Sequence, residues 1–275
     1  MSFFDYLRQS YSESTCNTYC YLVGRFKHFE DSEDVDYSVI LRYIQVLKRF
    51  NNDKSVNQHL VALRHYFNYK GFKYNPVNLH IKRQPTIIST NTLSTQQLNQ
   101  LFDNWKTTDS CTSVRDKVII SLYVFQGLHS HEVNRLTTDD IDLTQLTINI
   151  ERSARSNPRT LPLDIKQVLL FNDYLTVYRP QLLLNREDNT LILTQKQKNC
   201  LRCVHNQISI KLSKLSNHPN IRLIRISVIK NWLSKHNLRT VQYLAGHRYI
   251  SSTERYVSKD LEHLKDSVNK FHPLG

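Results

Sequence analysis

Apolar positions recur at helical spacing along most of the chain. Residues 12–29 form the first such run, with Leu22, Phe26 and Phe29 on one face and Ser12 or Ser14 placed to cap it. Tyr37 to Phe50 is the second, striped by Val39, Ile40, Tyr43, Ile44 and Leu47. In the third, 55–70, Val56, Leu60, Leu63 and Phe67 share a face, Arg64 and Lys70 lie off it, and Lys54 and Lys73 mark its ends. Three or four short helices ending near Asn75-Pro76 predict a small bundle. The pattern fails between Lys82 and Thr95, where Pro85 and a Ser/Thr/Asn cluster predict a linker. The domain boundary is placed near residue 88.

Ser94-Thr95-Gln96-Gln97 then reads as a capping box opening a helix over 94–106, followed by helices at about 112–126 and from Ser130. Leu146 to Ile150 alternates as a strand does, Arg159 to Leu163 is a partner strand, and Ser156-Asn157-Pro158 supplies the turn. A helix over 164–178 and a short apolar strand at Leu191–Leu193 come next. Helical stretches near 205–215, 222–236, 238–245 and 260–271 finish the chain. The predicted class is mainly α with one small β-sheet, without internal repeats.

Composition narrows the picture. With 40% hydrophobic residues, 15 Tyr and 11 Phe against 5 Gly, the chain can bury real cores, which excludes disorder and Gly-rich low complexity. No run of apolar residues is long enough to span a membrane, and the N-terminus lacks a basic segment followed by an apolar one, so neither a membrane span nor a secretory signal is expected. Five cysteines, an odd number, suit a reduced intracellular chain rather than a disulfide scaffold. Cys200 and Cys203 form one CxxC near His205 without a second ligand pair, so no metal is expected. Cys16 and Cys20 share a helix face as small core side chains. The excess of 37 Lys+Arg over 24 Asp+Glu, +13 in all, is spread along the chain and points to a polyanion, most often nucleic acid.

The chemistry concentrates in the last fifty residues. Arg222-Leu-Ile-Arg225, Leu238 to Gly246-His247, and Ser251-Ser-Thr-Glu-Arg-Tyr256 stand in order, with His247 nine residues before Tyr256. Upstream come Arg115-Asp116, Gly127-Leu128, Glu132, Asp139 to Leu143 and Leu161-Pro-Leu163. In these residues the chain resembles the tyrosine recombinase (phage integrase) family. The resemblance implies a helical core-binding domain over 1–85, a linker over 86–95, and a mixed α/β catalytic domain over 96–275 with an exchange tail at about 258–275.

It further implies that Tyr256 is a nucleophile forming a 3′-phosphotyrosine, needing no cofactor, with Arg225 and His247 on the phosphate. A guanidinium fork can grip two phosphate oxygens, and an imidazole can donate to them or handle the phenolic proton. Three departures stand out. His129 follows Gly127-Leu128 where the family carries an arginine, Arg222 replaces the first histidine of H-x-x-R, and residues 151–159 lack the family's hairpin lysine. Arg152, Arg155 and Arg135 are the candidates to compensate.

The function implied is site-specific recombination of double-stranded DNA, serving integration, excision or resolution of a mobile element or plasmid. The partners implied are a second copy of the chain, up to a tetramer on two DNA sites, and accessory proteins. The expected location is cytoplasmic and nucleoid-associated. Arg64, Lys70 and Lys54 are candidate DNA contacts. A lapsed DNA-binding regulator and a topoisomerase-like relaxing enzyme are the alternatives on the same fold. The stripe of Leu261, Leu264, Val268 and Phe271 marks the tail as a helix that packs on its own domain or docks on a neighbour.

Overall fold

The computed structural model describes residues 2–30, 35–72, 78–82, 92–184, 187–194, 201–215 and 219–257. Lys73, Asn75-Pro76, Pro85, Cys200 and the tail from residue 258, including the stretch expected to be helical at 260–271, lie outside them. The chain divides into two compact units, Met1–Thr86 and Ile87–Gly275.

The first unit holds α1 (Phe3–Arg8), α2 (Glu13–Phe29), α3 (Tyr37–Lys48) and α4 (Asp53–Tyr69). Every stripe residue of α3 and α4 is buried, and Leu22 and Phe26 of α2 join them in one core. Phe29, expected on that face, is 37% exposed in the last turn. Helix α1 had no periodic signal because it is too short for one; a box between Ser2 and Asp5 caps it and Leu7 is its only buried side chain. Asn57 of α4 ties down the segment after the bundle, accepting from Ile81 N at 3.0 Å and donating to Ile81 O at 2.9 Å.

In the second unit, α5 (Thr95–Asp103) opens with the expected capping box. Leu93, placed by sequence within the linker, is instead fixed to this unit: its N–H donates to Ser227 Oγ at 2.9 Å and its carbonyl accepts from Asn231 at 3.1 Å. Helix α6 (Cys111–Phe125) is buried on nearly all sides. The short α7 (Ser130–Val133) leads to a three-stranded antiparallel sheet of β1 (Ile141–Asp142), β2 (Thr147–Ile150) and β3 (Arg159–Pro162), with Ile148 opposite Leu161. The two-residue β1, within the Asp139 to Leu143 stretch, is a strand that the sequence pattern did not predict.

Helix α8 (Ile165–Asp173) passes through a π turn at Tyr174–Tyr178 into α9 (Arg179–Leu183), so the helical path outlasts the expected 164–178. Leu191–Leu193 is buried but is no strand. Its polar backbone is satisfied singly: Leu191 N donates to Leu136 O at 2.8 Å, and Leu191 O accepts from Tyr174 Oη at 2.9 Å. Helices α10 (Leu201–Ser213), α11 (Ile221–Leu233) and α12 (Leu238–Ala245) follow, and residues 250–257 are helical. No described helix is long and apolar enough to cross a membrane. The result is a mainly helical chain with one small sheet, as the pattern predicts.

Candidate active site

Two glycines in left-handed backbone place the site's main-chain acceptors. Gly127 (φ 58°) turns the chain out of α6, and Gly246 (φ 67°) ends α12. Arg225 lies between these turns, 5% exposed on α11. Its guanidinium donates to the Gly127 carbonyl and, at 2.7 Å, to the Ala245 carbonyl. Burial lowers its pKa to about 10, which leaves it cationic at neutral pH.

Behind Arg225 is Glu132 of α7. Its carboxylate accepts from the His129 N–H at 2.8 Å and from both Nη atoms of Arg159 at 2.8 and 3.1 Å. Arg225 Nη1 stands 3.8 Å from the same carboxylate. Burial alone would raise the Glu132 pKa; the hydrogen bonds and charge of Arg159 overturn it and hold the group at about 2.

His247 follows Gly246 directly. Its Nδ1 is 2.9 Å from Thr253 Oγ1, which commits that nitrogen and leaves Nε2 for a ligand. The ring stacks on Tyr256, with centroids 5.9 Å apart and planes at 18°. Partial burial, then the charges of Arg225 and Arg159, lower the His247 pKa to about 4, so the imidazole is neutral at pH 7. His129 stacks on His131 at 5.1 Å. Partial desolvation, then the charge of Arg225, also lowers the His129 pKa, although the residue as a whole is exposed.

His129, His131 and Arg225, with Arg222, Arg255 and Tyr256, line a cleft of about 750 Å³. Of the sequence candidates, Tyr256, Arg225, Arg222 and His129 line the cleft, and His247 is stacked on Tyr256. The three compensating arginines do not line it. Arg152 and Arg155 are exposed beside β3, and Arg135 is exposed, 3.6 Å from Glu151. Of the bundle's candidates, Lys54 and Lys70 are exposed and Arg64 is half-buried. At about 100° per residue they fall on different sides of α4 and its cap, so the helix does not gather them on one face.

Two residues that matter here were missed as site members, Arg159 and Thr253. Arg159 carried a signal: two residues before Leu161 in an alternating strand, it had to face the core with that leucine.

The profile of the phage integrase family matches residues 91–263. The profile of its N-terminal SAM-like domain matches residues 1–71. The chain belongs to the phage integrase family. Among curated relatives, the tyrosine recombinase XerC of Haemophilus ducreyi is 28% identical over 258 residues, covering 89% of this chain and 81% of its own. The tyrosine recombinase XerA of Thermococcus onnurineus is 23% identical over 267 residues, covering 94% and 89%. Among solved structures, the XerH site-specific recombinase bound to a palindromic difH substrate, a post-cleavage complex, aligns with a TM-score of 0.70 at 18% identity, covering 92% of this chain and 78% of that one. The Tn1549 transposon integrase with a circular intermediate DNA aligns with a TM-score of 0.67 at 15% identity, covering 93% and 95%. Family membership makes the chain a tyrosine recombinase, and the fold of both units is that of the family.

The lowered histidine values set a pH dependence of stability. His247 is held at about 4, and burial holds His59 of the bundle at about 4 as well, against an ordinary 6.5. Each takes up a proton on unfolding between those limits, so stability is full above about 6.5 and falls as pH drops toward 4. Glu132 titrates only below its ordinary 4.5 and does not contribute in the upper part of this window. The expected result is a melting temperature lower at pH 5 than at pH 7.5 in phosphate-free buffer. An equal or higher value at pH 5 refutes it.

Proposed function

We propose that this recombinase cuts and rejoins double-stranded DNA at a specific site through a 3′-phosphotyrosine at Tyr256. The observation that carries the reading is the convergence of Tyr256, Arg225, Arg222 and His129 on one cleft, with His247 stacked on the tyrosine ring. A phosphodiester seated there meets the Arg225 guanidinium, whose N–H hydrogens not taken by the Gly127 and Ala245 carbonyls can donate to non-bridging oxygens. Arg222, one helical turn earlier on α11, adds a second positive charge at the cleft mouth. The phenolic oxygen attacks phosphorus, the bond to the 5′ oxygen breaks, and that oxygen leaves as a hydroxyl with a proton from solvent water, replaced by the phenolic proton that His247 passes on. Neutral His247 has an open Nε2 to take the phenolic proton as the new ester forms. The reverse attack by a 5′ hydroxyl regenerates the tyrosine, so no metal or nucleotide is consumed.

Thr253 belongs to this reading as a positioning residue. Thr253→Val keeps the volume and removes the hydroxyl that orients His247. Adduct formation is expected to drop about tenfold, the scale of one lost orienting hydrogen bond, with DNA affinity unchanged. An unchanged rate removes Thr253 from the account.

The first unit, with Lys54, Arg64 and Lys70 on α4 and its cap, supplies phosphate contacts of the salt-dependent kind. The wider reading is a tetramer joining two DNA sites in the cytoplasm, with accessory proteins, for a mobile element or plasmid. The deciding experiment selects bound duplexes from a random pool. A nicked form of the selected site is then incubated with protein, and any protein–DNA adduct is located by mass spectrometry. An adduct at Tyr256 supports recombination chemistry. Binding without an adduct supports a regulator on the same fold, and relaxation of plasmids lacking the site supports a topoisomerase-like activity.

A further inference from the structure

Arg159 is the least exposed cation of the site, with a side chain at 0% exposure, yet it lies on a strand that sequence assigned only to the sheet. It occupies both oxygens of Glu132 in a two-pronged ion pair, and its Nε has no hydrogen-bond partner among the described residues. Glu132 is the only carboxylate close to Arg225 among the described ion pairs, at 3.8 Å. A carboxylate so placed would capture Arg225 if it were not already engaged. With Arg159 engaged, Arg225 hydrogen-bonds only main-chain carbonyls among the described residues and keeps donors for the cleft. The three groups together carry one net positive charge; without Arg159 they carry none.

We infer that Arg159 is a positioning residue that occupies Glu132, thereby keeping Arg225 charged toward the cleft and able to hold a phosphate group. The inference rests on the reading of the cleft as a phosphodiester site, and deepens it by adding a buried cation outside the expected set. Arg159 also supports the His247 turn: a side chain on Gly246 would overlap its guanidinium, so the backbone there packs directly against it.

The test uses the full chain and inorganic phosphate as probe, followed by the imidazole NMR signals of His129 and His247. Wild-type protein is expected to bind phosphate in the cleft. Arg159→Leu is expected to bind it about tenfold more weakly, as Arg225 closes onto Glu132. Arg159→Lys, which keeps the charge, is expected to stay within about threefold of wild type. The decisive variant is Arg159→Leu with Glu132→Leu. Replacing a buried ion pair by apolar groups is often neutral to folding, so this protein remains measurable. Phosphate binding is expected to return to within about threefold of wild type, because Arg225 is released. A merely structural role for Arg159 predicts no such rescue.

A double variant as weak as the single one, with both melting as folded proteins, overturns the inference. So does a wild-type protein whose imidazole signals ignore phosphate. Wild-type phosphate binding with the expected rescue, but without a covalent adduct on selected DNA, leaves the inference standing and removes the recombinase reading instead.

Discussion

Tyr256→Phe is expected to bind the selected DNA within about twofold of wild type and to form no covalent adduct, a loss on the order of 10⁴-fold or more. The substitution removes one oxygen and keeps the ring, so the stack on His247 at 5.9 Å persists. Tyr256 is half-buried and packs against the cluster of Ile229, Val241 and Ala245 with its ring, which phenylalanine also supplies. The folding cost is therefore within about 0.5 kcal/mol, as for substitutions that leave packing intact. Gel-shift titration, thermal melting and adduct assay on one preparation separate the three quantities. Tyr249, 69% exposed seven residues earlier, is the internal control. An adduct that persists in Tyr256→Phe and maps to Tyr249 would transfer the chemistry to a different residue.

Gly246→Ala is expected to be the most damaging small substitution in the second unit. Its backbone is left-handed, which costs an alanine about 1–2 kcal/mol. The added methyl would also lie 2.8 Å from Arg159 Cζ. That guanidinium is fully buried and held by both oxygens of Glu132, so overpacking adds about 1–3 kcal/mol. The sum, about 2–5 kcal/mol, is readable by denaturant titration. Because the distortion falls beside His247, adduct formation is expected to fail even in variants that remain folded at low temperature. A stability change below about 1 kcal/mol would show that Arg159 is less firmly held than described.

The helices of both units were legible because burial of a stripe repeats every three or four residues, and a run such as Val56, Leu60, Leu63 and Phe67 meets that condition without ambiguity. The order Arg225, His247, Tyr256 was legible as a motif, and folding does bring the three together. Arg159 was harder to recognise: its register with Leu161 turns it inward, but a buried charge is credible only once its partner is known. That partner, Glu132, is 27 residues away in sequence. Arg135 illustrates the converse error. It looked well placed one turn beyond His131, but it pairs with Glu151 on the exposed surface instead. The stretch Leu191–Leu193 misled because burial and apolar character are shared by strands and by loops threaded through a core. Only partners for a full ladder distinguish them, and here the partners come from unrelated elements, Leu136 and Tyr174.

The segment between β2 and β3 is sewn to the turn that carries the histidine. Asn157 N donates to Gly246 O at 3.0 Å, Arg248 reaches Ala154 O at 2.9 Å, and Ser156 bridges His247 main chain to main chain. The imidazole therefore has no independent hinge. The exposed Arg152 and Arg155 stand on this same segment, so its backbone ties them to the turn that holds the ring beside Tyr256. Lengthening the segment by a single residue would shift these contacts out of register with the turn.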